Sequence, residues 1–176
     1  MESFYSETIK KELGKKLGDK NVMATPRILK IVLNVGVGEA TTNKQAVANA
    51  TRDLEKIAAR KAVVTKARKS VSAFKLREGL AIGTKATLRG KAMMSFLEKM
   101  VRIVIPRFRD FKGISSTCVD SAGNFSIGFP EQTLFPEIDY DSIDKLRGLQ
   151  VTVVTTAGTK ERGLELFKTL GVPFHD

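Results

Sequence analysis

The sequence predicts an α+β fold with a largely antiparallel sheet and helices packed on one of its faces. Two observations favour this class. Helical and strand-like segments follow one another in an irregular order, and several strand-like segments carry apolar residues at alternate positions only. The chain has 176 residues, a length typical of one domain, and no Pro- or Ser-rich linker divides it. Residues 1–176 are therefore interpreted as a single domain.

The N-terminal part of the chain predicts a helix followed by a half-buried strand. The helix covers Phe4–Leu17, and Gly18 provides its C-terminal stop. The segment Arg27–Val37 has the β-branched residues and the period-two pattern of a strand. One of its faces should be buried and the other partly wet. The buried face carries Leu29, Ile31, Leu33 and Val35, and the other carries Lys30, Val32 and Asn34.

The middle of the chain predicts a helix and two strands joined by a loop. Thr42–Gln45 is a capping-box pattern that opens a helix ending near Ala59. Lys61–Ala67 is a short strand, and Arg68–Gly79 lacks periodicity and is predicted to be a loop. Leu80–Arg89 alternates, which indicates a half-buried strand. Its core face carries Ile82, Thr84, Ala86 and Leu88, and its polar face carries Gly83, Lys85, Thr87 and Arg89.

The remaining segments complete the sheet and its helical cover. A helix runs from Gly90 to about Ile105, where Pro106 ends it, and its methionines are interpreted as core packing. The later elements are a strand at Asn124–Phe129, an acidic loop at Glu131–Asp144, a strand at Leu149–Thr155 and a helix at Lys160–Leu170. The uncovered sheet face would then be polar and basic, which suits RNA better than a small-molecule pocket.

The positive charge of the chain is concentrated in its middle third. The formal net charge is +11. Residues 60–112 carry 15 Lys and Arg against three Asp and Glu, a net +12, whereas residues 113–176 carry five against nine, a net −4. Such a concentration costs self-repulsion unless a polyanion compensates it. Clustered charge of this kind is typical of nucleic-acid-binding proteins.

The composition argues against metal sites, cofactors and membrane insertion. The single cysteine, Cys118, and the single histidine, His175, cannot form a zinc site or an intrachain disulfide. The N-terminus lacks the apolar region of a secretory signal, and no apolar run approaches the ~18 residues of a membrane span. We therefore expect a soluble cytoplasmic protein without a metal or cofactor.

Two patterns raise the possibility of catalysis. The strand before Gly36-x-Gly38 could open a nucleotide-binding or methyl-donor-binding loop, but the third glycine and the acidic residue of a Rossmann turn are missing. A turn that needs glycine for backbone freedom is the better interpretation. The acidic loop fits no calcium-binding spacing, and a solvated surface or a docking patch for a basic partner is preferred. No catalytic residue is assigned. The acidic loop contains Glu131, Glu137, Asp139, Asp141 and Asp144.

The basic stretch Lys61–Lys91 gives the strongest chemical signal, with Glu78 as its only acid. Guanidinium groups bind phosphate through two hydrogen bonds, and ammonium groups add diffuse attraction. Phe74 is the only aromatic residue in the loop, which differs from a single-strand binder built on several stacking platforms. Recognition of folded RNA by its backbone shape is the physical expectation.

Four segments closely resemble the bacterial ribosomal protein L5 family, in family order and spacing. They are PRILKIVLNVGVGEA, TKARKSVSAFKLREG, IGTKATLRG and FPEIDYD. The resemblance runs over nearly the whole chain. It implies helices on the convex side of an antiparallel sheet, whose concave face meets 5S ribosomal RNA. It also implies a non-catalytic role in the large ribosomal subunit, with contacts to large-subunit ribosomal RNA, P-site transfer RNA and a protein of the small-subunit head.

The resemblance also implies site residues, carried over by motif. The ribosomal RNA contacts fall on Asn34, Thr65 and Thr87, with Lys66, Lys85 and Arg89 as phosphate contacts. Arg60 stands where relatives commonly have Gln, and it would exchange a base-edge or sugar bond for a phosphate contact. The transfer-RNA loop corresponds to residues 68–79, with Arg68, Lys69, Lys75 and Arg77 as contacts.

Two rival functions stay open at this stage. One is a methyl-donor-dependent enzyme that uses Gly36 and Gly38, which measurable binding of that donor to the purified protein would support. The other is a general RNA chaperone, which competition by unrelated RNAs would reveal.

Overall fold

The computed structural model describes residues 11–18, 21–43, 45–108, 113–140 and 143–175. Within these residues, helices α1–α4 cover residues 11–17, Gln45–Ala58, Gly90–Lys99 and Lys160–Thr169. Strands β1–β7 cover Ile28–Gly36, Val63–Lys66, Ala81–Leu88, Ile114–Ser115, Phe125–Phe129, Leu149–Thr155 and Phe174–His175. None of the helices within the described ranges is long and apolar enough to cross a membrane.

Five strands form one antiparallel sheet in the order β2-β3-β1-β6-β5. In the β2–β3 pair, Val63 lies opposite Lys85 and Thr65 lies opposite Gly83. Strands β4 and β7 form a separate parallel pair, with Ile114 opposite Phe174. The predicted α+β class and the largely antiparallel sheet are confirmed. The parallel pair was not predicted, because two-residue strands are too short to show a period.

The chain divides into two compact units. The first comprises residues 1–31, 89–127 and 152–176, and the second comprises residues 32–88 and 128–151. In the first unit, the ring centroids of the buried Phe125 and Phe167 lie 5.0 Å apart. A Cβ on Gly163 of α4 would lie 2.6 Å from the Cα of Gly123. Only glycine permits this close approach of the helix to the neighbouring backbone.

Helix α3 of the first unit confirms the predicted helix but changes its pitch. The backbone is α-helical to Lys99, forms a π-helical turn over Met100–Val104 and ends in a 3-10 turn over Ile105–Arg107 that contains Pro106. Met93 and Met100 are buried. The interpretation of these methionines as core residues is therefore confirmed.

In the second unit, α2 packs on β3 and turns its apolar stripe inward. The predicted capping box at Thr42–Gln45 is wrong in detail. Asn43 caps the helix, because its Oδ1 accepts a hydrogen bond of 2.9 Å from the backbone N–H of Gln45. The Thr42 hydroxyl instead donates to the Glu39 carbonyl, since Thr42 ends the preceding 3-10 turn.

The first helix and strand β1 agree with their predictions only in part. Of the predicted helix over Phe4–Leu17, residues 11–17 are helical and residues 4–10 lie outside the described residues. Gly18 has a φ of +66°, which confirms it as the stop. The predicted buried face of β1 is wrong at Leu29, which is 41% exposed, although the rest of that face is buried. The apolar stripe of β1 therefore begins at Ile31.

Candidate nucleic-acid interface

The predicted polar face of β1 and β3 forms at Asn34, Lys85 and Thr87, but Gly83, which was predicted to share that face, is buried. Alternate residues of β3 from Thr84 to Leu88 are buried, whereas Lys85 and Thr87 are exposed. Asn34 of β1 is likewise exposed between two buried neighbours. Because successive side chains of a strand point to opposite faces, these three polar residues project away from the core.

Thr65 of the edge strand β2 joins the same surface. It lies opposite Gly83 in the register, and directly opposed residues of antiparallel strands share a face. A Cβ on Gly83 would lie 2.9 Å from the Thr65 Oγ1 and 2.7 Å from the Val35 carbonyl oxygen. Glycine at this position therefore lets the neighbouring strands approach. We call the surface of Asn34, Thr65, Lys85 and Thr87 the open face.

Gly36 and Gly38 do not form the glycine-dependent turn that the sequence suggested. Neither has a positive φ, and a Cβ on either would meet no heavy atom within 4 Å. Gly36 is the last residue of β1, and Gly38 opens a 3-10 turn. The earlier interpretation is wrong because the strand passes into this turn with backbone angles that any residue can adopt.

The segment between β2 and β3 is a loop, as predicted, and its backbone is held by hydrogen bonds at its base. The N–H of Ala67 donates to the Leu80 carbonyl over 2.8 Å, and the N–H of Gly79 donates to the Ala67 carbonyl over 3.0 Å. The Glu78 N–H donates to the Ser70 Oγ. We call residues 68–79 the basic hairpin.

The apex of the basic hairpin is a tight, defined turn. Val71 and Leu76 exchange two backbone hydrogen bonds of 2.9 and 3.0 Å. Between them, Ser72–Phe74 form a 3-10 turn that closes with Lys75 in the left-handed region, at a φ of +52°. The backbone of residues 71–76 is therefore ordered by its own hydrogen bonds.

The cations of this part of the second unit are exposed and have no acidic partner within the described ranges. They are Lys66, Arg68, Lys69, Lys75, Arg77 and Lys85. No carboxylate of the described residues lies within ion-pair distance of any of these six side chains. Unpaired like charges on adjoining surfaces raise the local positive potential and attract polyanions.

Arg60 and Arg89 flank these elements in the chain. Arg60 is exposed and follows Ala59, whose φ of +49° turns the chain out of α2. Arg89 is exposed at the N-cap position of α3 and belongs to the first unit. The other predicted contact residues belong to the second unit.

The sequence did not reveal a buried polar network in the second unit. The Nε2 of Gln132 donates to the Asp53 Oδ2 over 3.0 Å and to the Lys145 carbonyl over 3.3 Å. Burial raises the pKa of Asp53, and the nearby charge of Asp144 adds to the rise. A signal was present, because Asp53 falls among the apolar residues on the inward stripe of α2.

Asp144 is held by the chain itself. Its two carboxylate oxygens accept hydrogen bonds of 2.8 and 2.9 Å from the guanidinium of Arg147, whose side chain is 4% exposed. The Asn49 Nδ2 donates a third. The Arg147 hydrogen bond is the largest cause that lowers the pKa of Asp144 well below its usual range.

Asp144 is thus exposed, as the surface interpretation of the acidic loop expects, but its carboxylate is already bound by Arg147 and Asn49. The carboxylates of Glu131, Glu137 and Asp139 are exposed, and Asp141 lies outside the described residues. Arg147 follows Asp144 by three residues and could have been noticed in the sequence, whereas Asn49 is 95 residues away and reaches Asp144 only in the fold.

Comparison with known families covers nearly the whole chain. The family model described as "Ribosomal protein L5" matches residues 21–77, and the model of the C-terminal part of the same ribosomal family matches residues 81–174. The chain belongs to the ribosomal protein L5 family. The ranges that match contain all the predicted contact residues of this L5-family chain.

Individual relatives agree with this assignment. A protein named "Large ribosomal subunit protein uL5" from Syntrophomonas wolfei is 51% identical over 172 residues, which cover 96% of this chain and 97% of the relative. The protein of the same name from Nitrosomonas europaea is 53% identical over 171 residues, 97% of this chain and 96% of the relative. That from Mesoplasma florum is 50% identical, with 99% and 97% covered.

Family membership settles the broad role of the L5-family chain. It is a structural component of the large ribosomal subunit, it binds ribosomal RNA there, and it resides in the ribosome in the cytoplasm. It is not an enzyme, so the methyl-donor alternative is removed.

Proposed function

We propose that the open face binds 5S ribosomal RNA and helps to attach it to the large subunit, where large-subunit ribosomal RNA is also contacted. In the same proposal, the basic hairpin contacts P-site transfer RNA, and another surface of the chain meets a protein of the small-subunit head. The observation that carries the proposal is the set of exposed cations, without acidic partners among the described residues, next to the polar groups of the open face.

The open face combines two kinds of RNA contact. Lys85 of the open face and Lys66, which follows Thr65 in β2, supply charge that phosphates neutralise, which provides affinity without sequence preference. The Asn34 amide and the Thr65 and Thr87 hydroxyls can each donate and accept hydrogen bonds, so they suit sugars and base edges. Since all three stand on paired strands, their spacing is fixed before the RNA arrives and sets its register.

The two arginines that flank these elements in the chain are assigned to the same kind of ligand. Arg60 and Arg89 are exposed, and the planar guanidinium group matches a phosphate through two parallel hydrogen bonds. We assign each of them to a phosphate contact of ribosomal RNA.

We assign a separate ligand to the basic hairpin because its backbone is ordered independently of the open face. Its backbone hydrogen bonds close within residues 67–80, and Arg68, Lys69, Lys75 and Arg77 are all exposed. Electrostatic contacts to phosphates do not require a precise arrangement of the two partners. They can therefore hold a transfer RNA that must enter and leave in every cycle of translation.

The first test is binding of the full-length protein to 5S ribosomal RNA in a gel-shift assay, beside a control RNA of equal length. We expect specific binding whose affinity falls by about 0.7–0.9 log units per log unit of salt for each phosphate neutralised. A flat salt response would contradict an electrostatic interface. Equal binding of the control RNA would favour the RNA-chaperone alternative.

The second test separates the hairpin from the open face. Replacement of Arg68, Lys69, Lys75 and Arg77 by Ala should leave 5S binding nearly unchanged. Ribosomes assembled with this variant should retain P-site transfer RNA roughly tenfold to a hundredfold less tightly, because exposed charge contacts contribute up to about 1 kcal/mol each. Equal loss of both activities would overturn the assignment of the hairpin to transfer RNA.

A further inference from the structure

The apex of the basic hairpin presents an aromatic ring to solvent. Phe74 is 74% exposed, although phenylalanine has no polar atom that water would satisfy. Leaving so large an apolar surface in water forfeits the free energy that burial would provide. The contacts within the described part of the chain give no structural reason for a phenylalanine at this position.

The turn around Phe74 fixes where the ring stands. The Phe74 N–H donates to the Val71 carbonyl over 3.3 Å, and the Lys75 N–H donates to the Ser72 carbonyl over 2.9 Å. With Lys75 in the left-handed region, the backbone on both sides of the ring is already ordered. A ligand that covers the ring would therefore be spared most of the entropy cost of ordering the loop.

The charge around the ring indicates the chemistry of its ligand. Arg68 and Lys69 precede the apex, Lys75 and Arg77 follow it, and all four side chains are exposed. These four cations raise the positive potential around the apex, which favours a polyanion as the ligand of Phe74. RNA is the polyanion that also carries flat aromatic groups, and a base stacks on an aromatic side chain whatever its identity.

Tyr140 shows that exposure of a ring is not enough by itself. It is also 74% exposed, but its chain neighbours include Glu137 and Asp139, both exposed acids. Carboxylates beside a ring repel the phosphates of a nucleic acid. Tyr140 is therefore a matched control of equal exposure whose neighbours in the chain are acids and not the four cations of the basic hairpin.

We propose that Phe74 stacks on an exposed nucleobase of the RNA that the basic hairpin holds. The hairpin then makes one base contact in addition to its phosphate contacts. This inference rests on the proposed function, in which that RNA is the P-site transfer RNA; an unpaired base of 5S ribosomal RNA is the other source of the same chemistry. A single ring stacks on any base, so it suits transfer RNAs that differ in sequence.

The protein offers a direct spectroscopic test, because it contains no tryptophan. Phe74→Trp in the full-length chain would be the only indole, and stacking on a nucleobase quenches indole fluorescence. The complex of this variant with 5S ribosomal RNA is titrated with deacylated transfer RNA. We expect quenching that follows transfer RNA binding. Tyr140→Trp, prepared in the same way, should show none.

Affinity measurements on assembled ribosomes provide the second readout. We expect Phe74→Ala and Phe74→Leu each to weaken P-site transfer RNA binding by about tenfold, in the range that base–aromatic stacking contributes. Phe74→Tyr should retain the wild-type affinity, because its ring still stacks. Tyr140→Ala should change neither RNA affinity. The leucine variant matters because loss of binding with an apolar side chain still present identifies stacking.

The outcomes distinguish this inference from the proposed function. Quenching by 5S ribosomal RNA alone, with a loss of 5S affinity in Phe74→Ala, would retain the stacking but overturn the transfer RNA as its partner. No quenching and unchanged RNA affinities would overturn the stacking and leave a protein as the partner of the ring. In that case, weaker transfer RNA binding by the hairpin variant without its four cations would still uphold the proposed function.

Discussion

The basic hairpin and the acidic segment over residues 131–144 are two irregular regions of the same unit that use charge in opposite ways. In the hairpin, the chain leaves exposed cations without acidic partners among the described residues. Near the acidic segment, Arg147 and Asn49 satisfy the Asp144 carboxylate, and Gln132 reaches the buried Asp53. Charge that the chain neutralises by itself holds the fold together, whereas charge that it leaves unpaired is available to a partner.

Two threonines of β3 show a similar contrast between a group that the chain encloses and a group that it leaves accessible. Thr84 lies on the core face, is fully buried, and its hydroxyl has no hydrogen-bond partner in the described structure. Thr87 lies on the open face and is exposed. Since alternate strand residues face opposite sides, position along the strand decides whether a hydroxyl is enclosed by the chain or available to a ligand.

The largest expected effect tests whether the unpaired cations differ from a paired one. Lys66→Ala combined with Lys85→Ala should weaken 5S ribosomal RNA binding by roughly a hundredfold, at about 1.5 kcal/mol for each charged contact. Lys145→Ala is the control, because the Lys145 Nζ lies 3.0 Å from a Glu39 carboxylate oxygen. It removes one positive charge that the chain already pairs and should leave the affinity nearly unchanged. If the control lost half as much binding free energy as the double variant, the affinity would depend only on the total charge.

A smaller effect is expected from the backbone beneath the open face. Gly83→Ala places a Cβ 2.7 Å from the Val35 carbonyl oxygen and should lower the free energy of unfolding by about 1–3 kcal/mol. Gly36→Ala meets no atom within 4 Å and should leave it nearly unchanged. Urea unfolding of both variants measures the difference. Equal stabilities would mean that the strands do not need glycine at position 83.

The smallest effect is expected from the ion pair between Asp144 and Arg147, whose charges the chain neutralises by itself. Asp144→Asn should lower the free energy of unfolding at pH 7 by about 1 kcal/mol. The figure is modest because the Asp144 side chain is 39% exposed and water screens the ion pair. Urea unfolding of the variant beside the wild type measures the change.

The pH dependence of that effect identifies its cause. The pKa of Asp144 is lower in the folded state than its ordinary value of 3.8. The stabilising contribution of this carboxylate is therefore complete above that value and is lost as the pH falls through the folded-state pKa. The difference between wild type and Asp144→Asn should shrink as the pH falls below about 4. A constant difference would argue against the ion pair as its cause.

Much of the fold follows from local patterns. The alternation in β3 predicted its buried and exposed faces from Thr84 to Leu88, and the strand at Leu149–Thr155 was predicted with the bounds that the structure shows. The family resemblance, confirmed by the comparisons, added the ribosomal role. The roles of individual contact residues and the single-domain interpretation stay predictions.

Other features could not be read from neighbouring residues. The hydrogen bond between Asp53 and Gln132 joins positions 79 residues apart, and Asn43 replaced Thr42 as the cap because the preceding turn uses the Thr42 hydroxyl. Nothing in the local sequence distinguishes Gly36 from Gly83. Only the positions of the neighbouring strands show that a Cβ would clash at Gly83 and not at Gly36.

The sequence by itself determined most of the longer helices and strands, the polar positions Asn34, Lys85 and Thr87, and the concentration of positive charge, because each depends on residues close together in the chain. Only the tertiary structure decided which charges are neutralised within the protein and which aromatic ring stands on a basic turn. The physical reason is that pairing and exposure depend on distances in space, and distant segments acquire those distances only when the chain folds.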